Sequence, residues 1–163
     1  MNPEAPDGVH GMPGVDRAVD RRDALNGSEW KPLAEKIRVF YDKSSKVWER
    51  VWGEHMHHGY YVPENRTDHV QAQIDLIDEV LKWAGVPESG ENTPKKVVDV
   101  GCGIGGSSRH IVKKYEGCTA QGITLSPYQA NRGNELAKEQ GLAERASFQV
   151  NSLLFCNIYG MYV

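Results

Sequence analysis

Cysteine is scarce in this chain of 163 residues, and the three present, Cys102, Cys118 and Cys156, have no metal-type spacing. An odd count of widely separated thiols argues against a disulfide framework and sets zinc aside, leaving reduced thiols in a reducing compartment as the simplest reading. Long apolar runs are also missing, since nothing approaches the roughly 18 residues of a membrane span. Nor does one sign of charge dominate. Nineteen Lys and Arg stand against 22 Asp and Glu, a net charge of −3, which gives no basis for a nucleic-acid partner held by phosphate neutralisation. The basic residues are mixed with acids throughout, so no polybasic membrane patch is legible. The first residues lack an apolar signal core and carry Glu4, Asp7, Asp16, Asp20 and Asp23, whereas transit peptides are poor in acids. The expectation from residues alone is a cytoplasmic protein. There is no internal repeat.

What is present reads as one soluble domain, with 39% hydrophobic and 25% charged residues. Residues 1–32 are rich in Gly, Pro and Asp without apolar periodicity and read as a disordered tail. Leu33, Ile37, Phe40, Tyr41, Ser44, Val47, Trp48 and Val51 recur at three-to-four spacing, predicting one or two amphipathic helices. A loop of imidazole and aromatic groups follows, from Gly53 to Tyr61. Asp68 then caps a helix whose apolar stripe is Val70, Ile74, Ile77, Leu81 and Ala84, ended by Gly85 and Pro87. These elements make residues 33–92 an N-terminal helical cap. From residue 93 to 150, strand and helix alternate: strands at 96–100, 119–125 and 146–150, helices at 107–115 and from Pro127 to Gln140. Strict alternation predicts an α/β fold with a parallel sheet of the Rossmann type, here incomplete.

The strongest chemical signal is Val97-Val98-Asp99-Val100-Gly101-Cys102-Gly103-Ile104-Gly105-Gly106. Glycines let the backbone turn sharply and approach a ligand, and the next helix points free N–H groups at it. Gly101, Gly103 and Gly106 also fit a dinucleotide fingerprint, so glycine count alone does not choose the cofactor. Two other features do. Asp99 at the mouth of the strand can receive the ammonium of a methionine-type ligand but would repel a pyrophosphate. The acid that a dinucleotide site needs about 20 residues further on is absent, its place taken by Gly122-Ile123-Thr124-Leu125-Ser126. A metal held by His55, His57, His58 and His69 lacks any thiolate or carboxylate to complete a recognisable set, and none is expected.

The runs VVDVGCGIGGSSRHIVKKY and GITLSPYQANRGNELAKEQGLAERASFQV, with FYDKSSKVWERVWGEHMHHGYYVP upstream, resemble the plant gamma-tocopherol methyltransferase family. That family includes tocopherol C-methyltransferases and related indole alkaloid N-methyltransferases; cyclopropane fatty-acid synthases are more distantly similar. The resemblance implies S-adenosyl-L-methionine as cofactor and methyl transfer to a small apolar metabolite, a tocopherol-like phenolic ring carbon, with an indole nitrogen as the alternative. It implies cofactor contacts from Val98, Asp99, Gly101, Cys102, Gly103, Gly105, Thr124, Leu125 and Gln129. Ser126 and Gln129 also fit a capping box, and the two roles can coexist. In the family the His loop folds over the cofactor, which makes Tyr41, Met56 and Tyr60 candidates for the acceptor pocket and His57 or His58 a candidate base. A chloroplast location follows from the resemblance, not from the residues.

The likeness ends after Val150. Residues 151–163 carry no charge and have high strand propensity, as if translated past an altered junction. The expectation is a chain truncated after the third strand and catalytically inactive, acting, if at all, as a partner of a full-length paralogue. Its first strand would offer an open edge for homodimerisation or self-association.

Overall fold

The computed structural model describes residues 27–151. The expected disordered tail up to residue 26, Cys156 and the divergent segment from 152 lie outside the described residues. Helix α1 spans Gly27–Trp52 and begins six residues ahead of Leu33; from Glu35 onward it belongs to one compact unit with all that follows.

Helix α2 covers His69–Trp83, and the side chain of Asp68 caps it by accepting from the Gln71 amide. Strand β1 is Lys96–Val100, helix α3 Gly106–Lys114, β2 Thr119–Thr124, α4 Pro127–Glu139 and β3 Ala146–Val150. Ser126 caps α4 by accepting from the Gln129 amide, with Pro127 at the first helical position, as the sequence predicts. The strands pair in parallel in the order β1-β2-β3, Val97 opposite Ala120 and Ala120 opposite Ala146.

Period-two alternation puts Val97, Ala120, Gly122, Ala146 and Phe148 on one sheet face. Their core includes Val112 of α3 and Ala130 and Ala137 of α4. The opposite face is open at β1, where Val98 and Val100 are exposed, while Val97 is partly buried against the core. Asp78 of α2 receives His110 at 2.9 Å and Lys114 at 3.0 Å, clamping α2 onto α3.

Helix α1 departs from its expected packing. Phe40, Val47 and Val51 of the apolar stripe are exposed, and so are Tyr41 and Trp52. The side turned to the body is polar. Asp42 accepts from the Ser126 hydroxyl at 2.5 Å and the Tyr128 amide at 3.3 Å, a carboxylate set on the positive end of α4. The Ser45 hydroxyl accepts from the Gln129 amide group at 2.9 Å, and Glu49 holds Arg132 at 2.9 Å and 3.0 Å. Residues 42, 45 and 49 lie one turn apart on one helix face and meet 126, 129 and 132 of the other. Periodicity measures amphipathicity; it does not say which face docks.

Candidate functional site

The glycine turn between β1 and α3 is anchored by its own backbone. The amides of Gly101 and Cys102 both donate to the Ile123 carbonyl, at 2.8 Å and 3.1 Å, and that of Gly105 to Cys102 at 2.9 Å. Gly101, Gly103 and Gly105 have φ of 77°, 56° and 81°, a left-handed backbone that side chains rarely adopt. The three face different surroundings. A Cβ at Gly101 would meet nothing within 4 Å, whereas at Gly103 it would lie 3.0 Å from the Met56 sulfur and at Gly105 it would collide with the Phe148 ring. Only Gly101 therefore leaves open space beside the turn.

Asp99 ends in that region, its carboxylate accepting the Ser108 hydroxyl at 2.7 Å. Helix α3 has Gly105 at its N-cap and so no side-chain cap, and the amides of its first turn are free of intrahelical partners. Cys102 contributes backbone only. Its thiol is buried in the core, and burial with the nearby Asp99 charge pushes its pKa up to about 12. The Val98 side chain is exposed on the far sheet face.

The end of β2 is closely paired. The buried Thr124 hydroxyl donates to the Gln129 side-chain oxygen at 2.6 Å, and Gln129 donates to Ser45 and, at 3.4 Å, to the Met56 sulfur. Gln129 thus links α1, β2, α4 and the His loop. Leu125 beside it is half-buried. Only half of the capping box forms, because Ser126 N donates to the Thr124 hydroxyl, at 3.3 Å, instead of to Gln129.

Residues 53–61 fold down onto the turn. Met56 packs between Gly103 and Gln129. The side-chain amide of Gln73 donates to the carbonyls of both His55 and His57 at 2.9 Å, and the Trp48 indole adds a second donor to His55. Glu54 receives Arg109, whose buried guanidinium also holds the Ile104 carbonyl inside the turn, both contacts at hydrogen-bond distance. Burial would raise the Glu54 carboxyl, but the Gln140 hydrogen bond and the Arg109 charge outweigh it and hold it below its usual value. Gly106 has no room for a side chain against the Glu54 carbonyl. His55 is buried, and burial together with His57, His110 and Arg109 lowers its pKa to about 4, so it is neutral near pH 7.

His57 Nδ1 lies 2.8 Å from the His58 carbonyl. Only an N–H can face a carbonyl, which places a proton on Nδ1; in the neutral ring the lone pair is then on Nε2. That Nε2 is buried without a hydrogen-bond partner among the described residues. His58 is exposed, and Tyr41 and Tyr60 are both more than 40% exposed, Tyr41 stacking edge-on against Phe40. The structure therefore gathers Met56, Gly103, Thr124 and Gln129 around one another, with Asp99 and Gly101 at the open side of the turn. Tyr41, His58 and Tyr60 stand outward. Among the described residues no three His, Cys, Asp or Glu side chains group as metal ligands. Sequence reasoning did not single out Gln73, Arg109, Asp42 or Phe148. Arg109 carried a signal, a cation in the first turn of the helix after a glycine turn.

Parallel strands in this order, with a glycine turn opening α3, match the first part of the Rossmann-like fold of class I methyltransferases. Solved structures share it: the [4+2]-cyclase SpnF, at a TM-score of 0.65 and 25% identity, covers 76% of this chain and 44% of its own. A geranyl diphosphate methyltransferase in complex with GPP and sinefungin reaches 0.62 at 25% identity, over 77% of this chain and 51% of its own. The chain belongs to the mycolic acid cyclopropane synthetase family, whose model matches residues 28–155. Among curated proteins it is 57% identical over 125 residues to a probable tocopherol O-methyltransferase, chloroplastic, of Oryza sativa subsp. japonica, covering 75% of this chain and 34% of that protein. It is 52% identical to tocopherol O-methyltransferase, chloroplastic, of Arabidopsis thaliana, over 80% of this chain and 39% of that protein. Ajmaline N-methyltransferase of Rauvolfia serpentina follows at 42%, over 74% of this chain and 42% of its own length. The chain thus spans little more than a third of the two tocopherol methyltransferases.

Proposed function

We propose that this chain carries the cofactor half of an S-adenosylmethionine-dependent methyltransferase whose acceptor is a tocopherol-like phenol. The observation that carries the reading is the open backbone of Gly101, two residues after Asp99, whose carboxylate is held by Ser108 of α3. A carboxylate and a side-chain-free turn suit an amino-acid ammonium; the uncapped start of α3 suits its carboxylate. These residues fit the cofactor: Asp99, Gly101 and the first amides of α3 would hold its methionine portion, and Thr124, Leu125 and Gln129 would border the rest. When bound, it supplies an electrophilic methyl carbon.

What the chain's own residues contribute is alignment and a base. Holding acceptor and methyl donor at near-attack distance accounts for most of such a reaction. His57 Nε2, buried without a hydrogen-bond partner among the described residues, would take the phenolic proton. The resulting phenolate shares its charge between the oxygen and the ortho and para ring carbons; a ring carbon that takes the methyl then loses its own proton as the ring regains aromaticity. Neutral His55, with ring centroids 5.5 Å apart, does not repel the proton His57 would carry. SpnF shares the fold under the name of a cyclase, so fold alone does not choose the chemistry. The choice of a tocopherol over an alkaloid nitrogen rests on 57% against 42% identity.

The two tocopherol relatives are named chloroplastic, and we propose that compartment in place of the cytoplasm expected from composition. β1 has no strand on its outer side among the described residues, which is where self-association would occur. Ultracentrifugation at rising concentration reads it directly. The functional test is calorimetry with S-adenosylhomocysteine on the wild type and Asp99→Asn, followed by transfer of labelled methyl to gamma-tocopherol with the labelled position read by NMR. Equal binding by both forms, or label on an alkaloid nitrogen instead, would refute the proposal.

A further inference from the structure

Along α1 the charges that sequence order interleaves fall into two separate rows, about 100° apart around the helix. The acids Glu35, Asp42 and Glu49 recur every seven residues and each is neutralised: Glu35 by Arg38, Asp42 by Arg38 and the start of α4, Glu49 by Arg132. The cations Lys36, Lys43 and Arg50 also recur every seven residues, are exposed, and make no salt bridge to a described residue. Residues seven apart drift by only about 20° around a helix, so each set forms one row. Phe40 and Val47, each 62% exposed, and Val51 at 51% make an apolar row beside the cations. The other flank of that row carries exposed Tyr41 and Trp52, aromatic rings with a polar tip.

We infer that this outward face of α1 is a docking surface for an anionic lipid membrane, with Phe40, Val47 and Val51 entering the headgroup–acyl boundary and Lys36, Lys43 and Arg50 meeting lipid phosphates. A cationic row, an apolar row and an interfacial aromatic flank on one helix are what such surfaces select. A second copy of the chain fits poorly, because the two cation rows would meet without an acid between them. An acidic helical partner would find the cations but leave the aromatic flank without purpose. The polar contacts to α4 fix the helix so that the strip stays outward. This inference does not depend on the acceptor proposed above, since it uses only α1.

Co-sedimentation of the full chain with phosphatidylcholine vesicles, with and without phosphatidylglycerol, tests it. The chain is expected to pellet with phosphatidylglycerol vesicles, to stay in solution with phosphatidylcholine alone, and to be released by sodium chloride. Replacing Lys36, Lys43 and Arg50 together by Gln should weaken partitioning about a hundredfold, at roughly fivefold per cation. Phe40→Ser with Val47→Ser should weaken it without changing its salt dependence. All five sites are exposed, and matching thermal unfolding of the variants confirms that they fold. Equal binding to both vesicle types, wild-type-like binding by the triple variant, or a lipid-free dimer abolished by both variants would overturn the inference.

Discussion

The ring of Phe148 occupies the space that a side chain on Gly105 would need, and it does the same at Gly133, where a Cβ would lie 2.8 Å from its Cδ2. Both glycines, one in the turn and one in α4, are therefore required by the protein's own core. Gly105→Ala should destabilise the fold well beyond the roughly 1–2 kcal/mol of left-handed strain expected for Gly101→Ala. In a Phe148→Leu background the Gly105→Ala penalty should shrink, as for any pair in direct contact. Urea unfolding of the wild type, the three single variants and the double variant measures this; equal penalties at Gly101 and Gly105 would contradict it.

His55 gives the fold an acid limit. Its ordinary pKa of 6.5 falls to about 4 in the folded protein, so above pH 6.5 both states hold it neutral. As pH falls from 6.5 towards 4 the unfolded chain gains the proton and the folded one does not, which removes on the order of 3 kcal/mol. His55→Gln should flatten the stability profile in that window. A profile as steep as the wild type's would assign the acid sensitivity to another group.

Cys102 and Cys118 should be inert. Both thiols are buried, and burial raises the pKa of each, so little thiolate exists near pH 8. Peptide-level mass spectrometry after iodoacetamide should find both unmodified in the native chain and both labelled in urea. Native labelling of Cys102 would mean that the glycine turn opens.

The attachment of α1 should depend on Glu49. Arg132 reaches it with two nitrogens in a half-buried pair. Glu49→Gln should cost about 1 kcal/mol. Amide exchange should rise within residues 36–52 while the sheet keeps its protection. Unchanged exchange in α1 would show that Asp42 and Ser45 suffice.

The alternating strands and helices were legible because each carried its own punctuation: Asp68, Ser126 with Pro127, and the glycines at 85 and 141. The turn was legible for a mixed reason. Its glycines announce close approach, but only the three-dimensional arrangement tells that Gly103 faces Met56, Gly105 faces Phe148 and Gly101 faces open space. The docking face of α1 was not legible, because apolar periodicity shows an amphipathic helix without saying which side docks, and Asp42, Ser45 and Glu49 make the contact. Gln73 and Arg109 escaped notice for a related reason. Their partners are main-chain carbonyls at 55, 57 and 104 and, for Arg109, the distant Glu54 carboxylate, none of which local periodicity reveals.

The two carbonyls held by Gln73 also constrain mechanics. One side-chain amide of α2 grips the loop at residues 55 and 57, the Tyr60 amide donates to Ala72 at 2.7 Å, and Gly59 lies flush against Ala72. Loop and helix are thus stitched along their length, and α2 is itself clamped to α3 through Asp78. Any displacement that lifts Met56 off the turn must carry α2 as a lever arm and work against that clamp. Such movement belongs to the collective microsecond-to-millisecond regime rather than to the nanosecond flicker of a free loop.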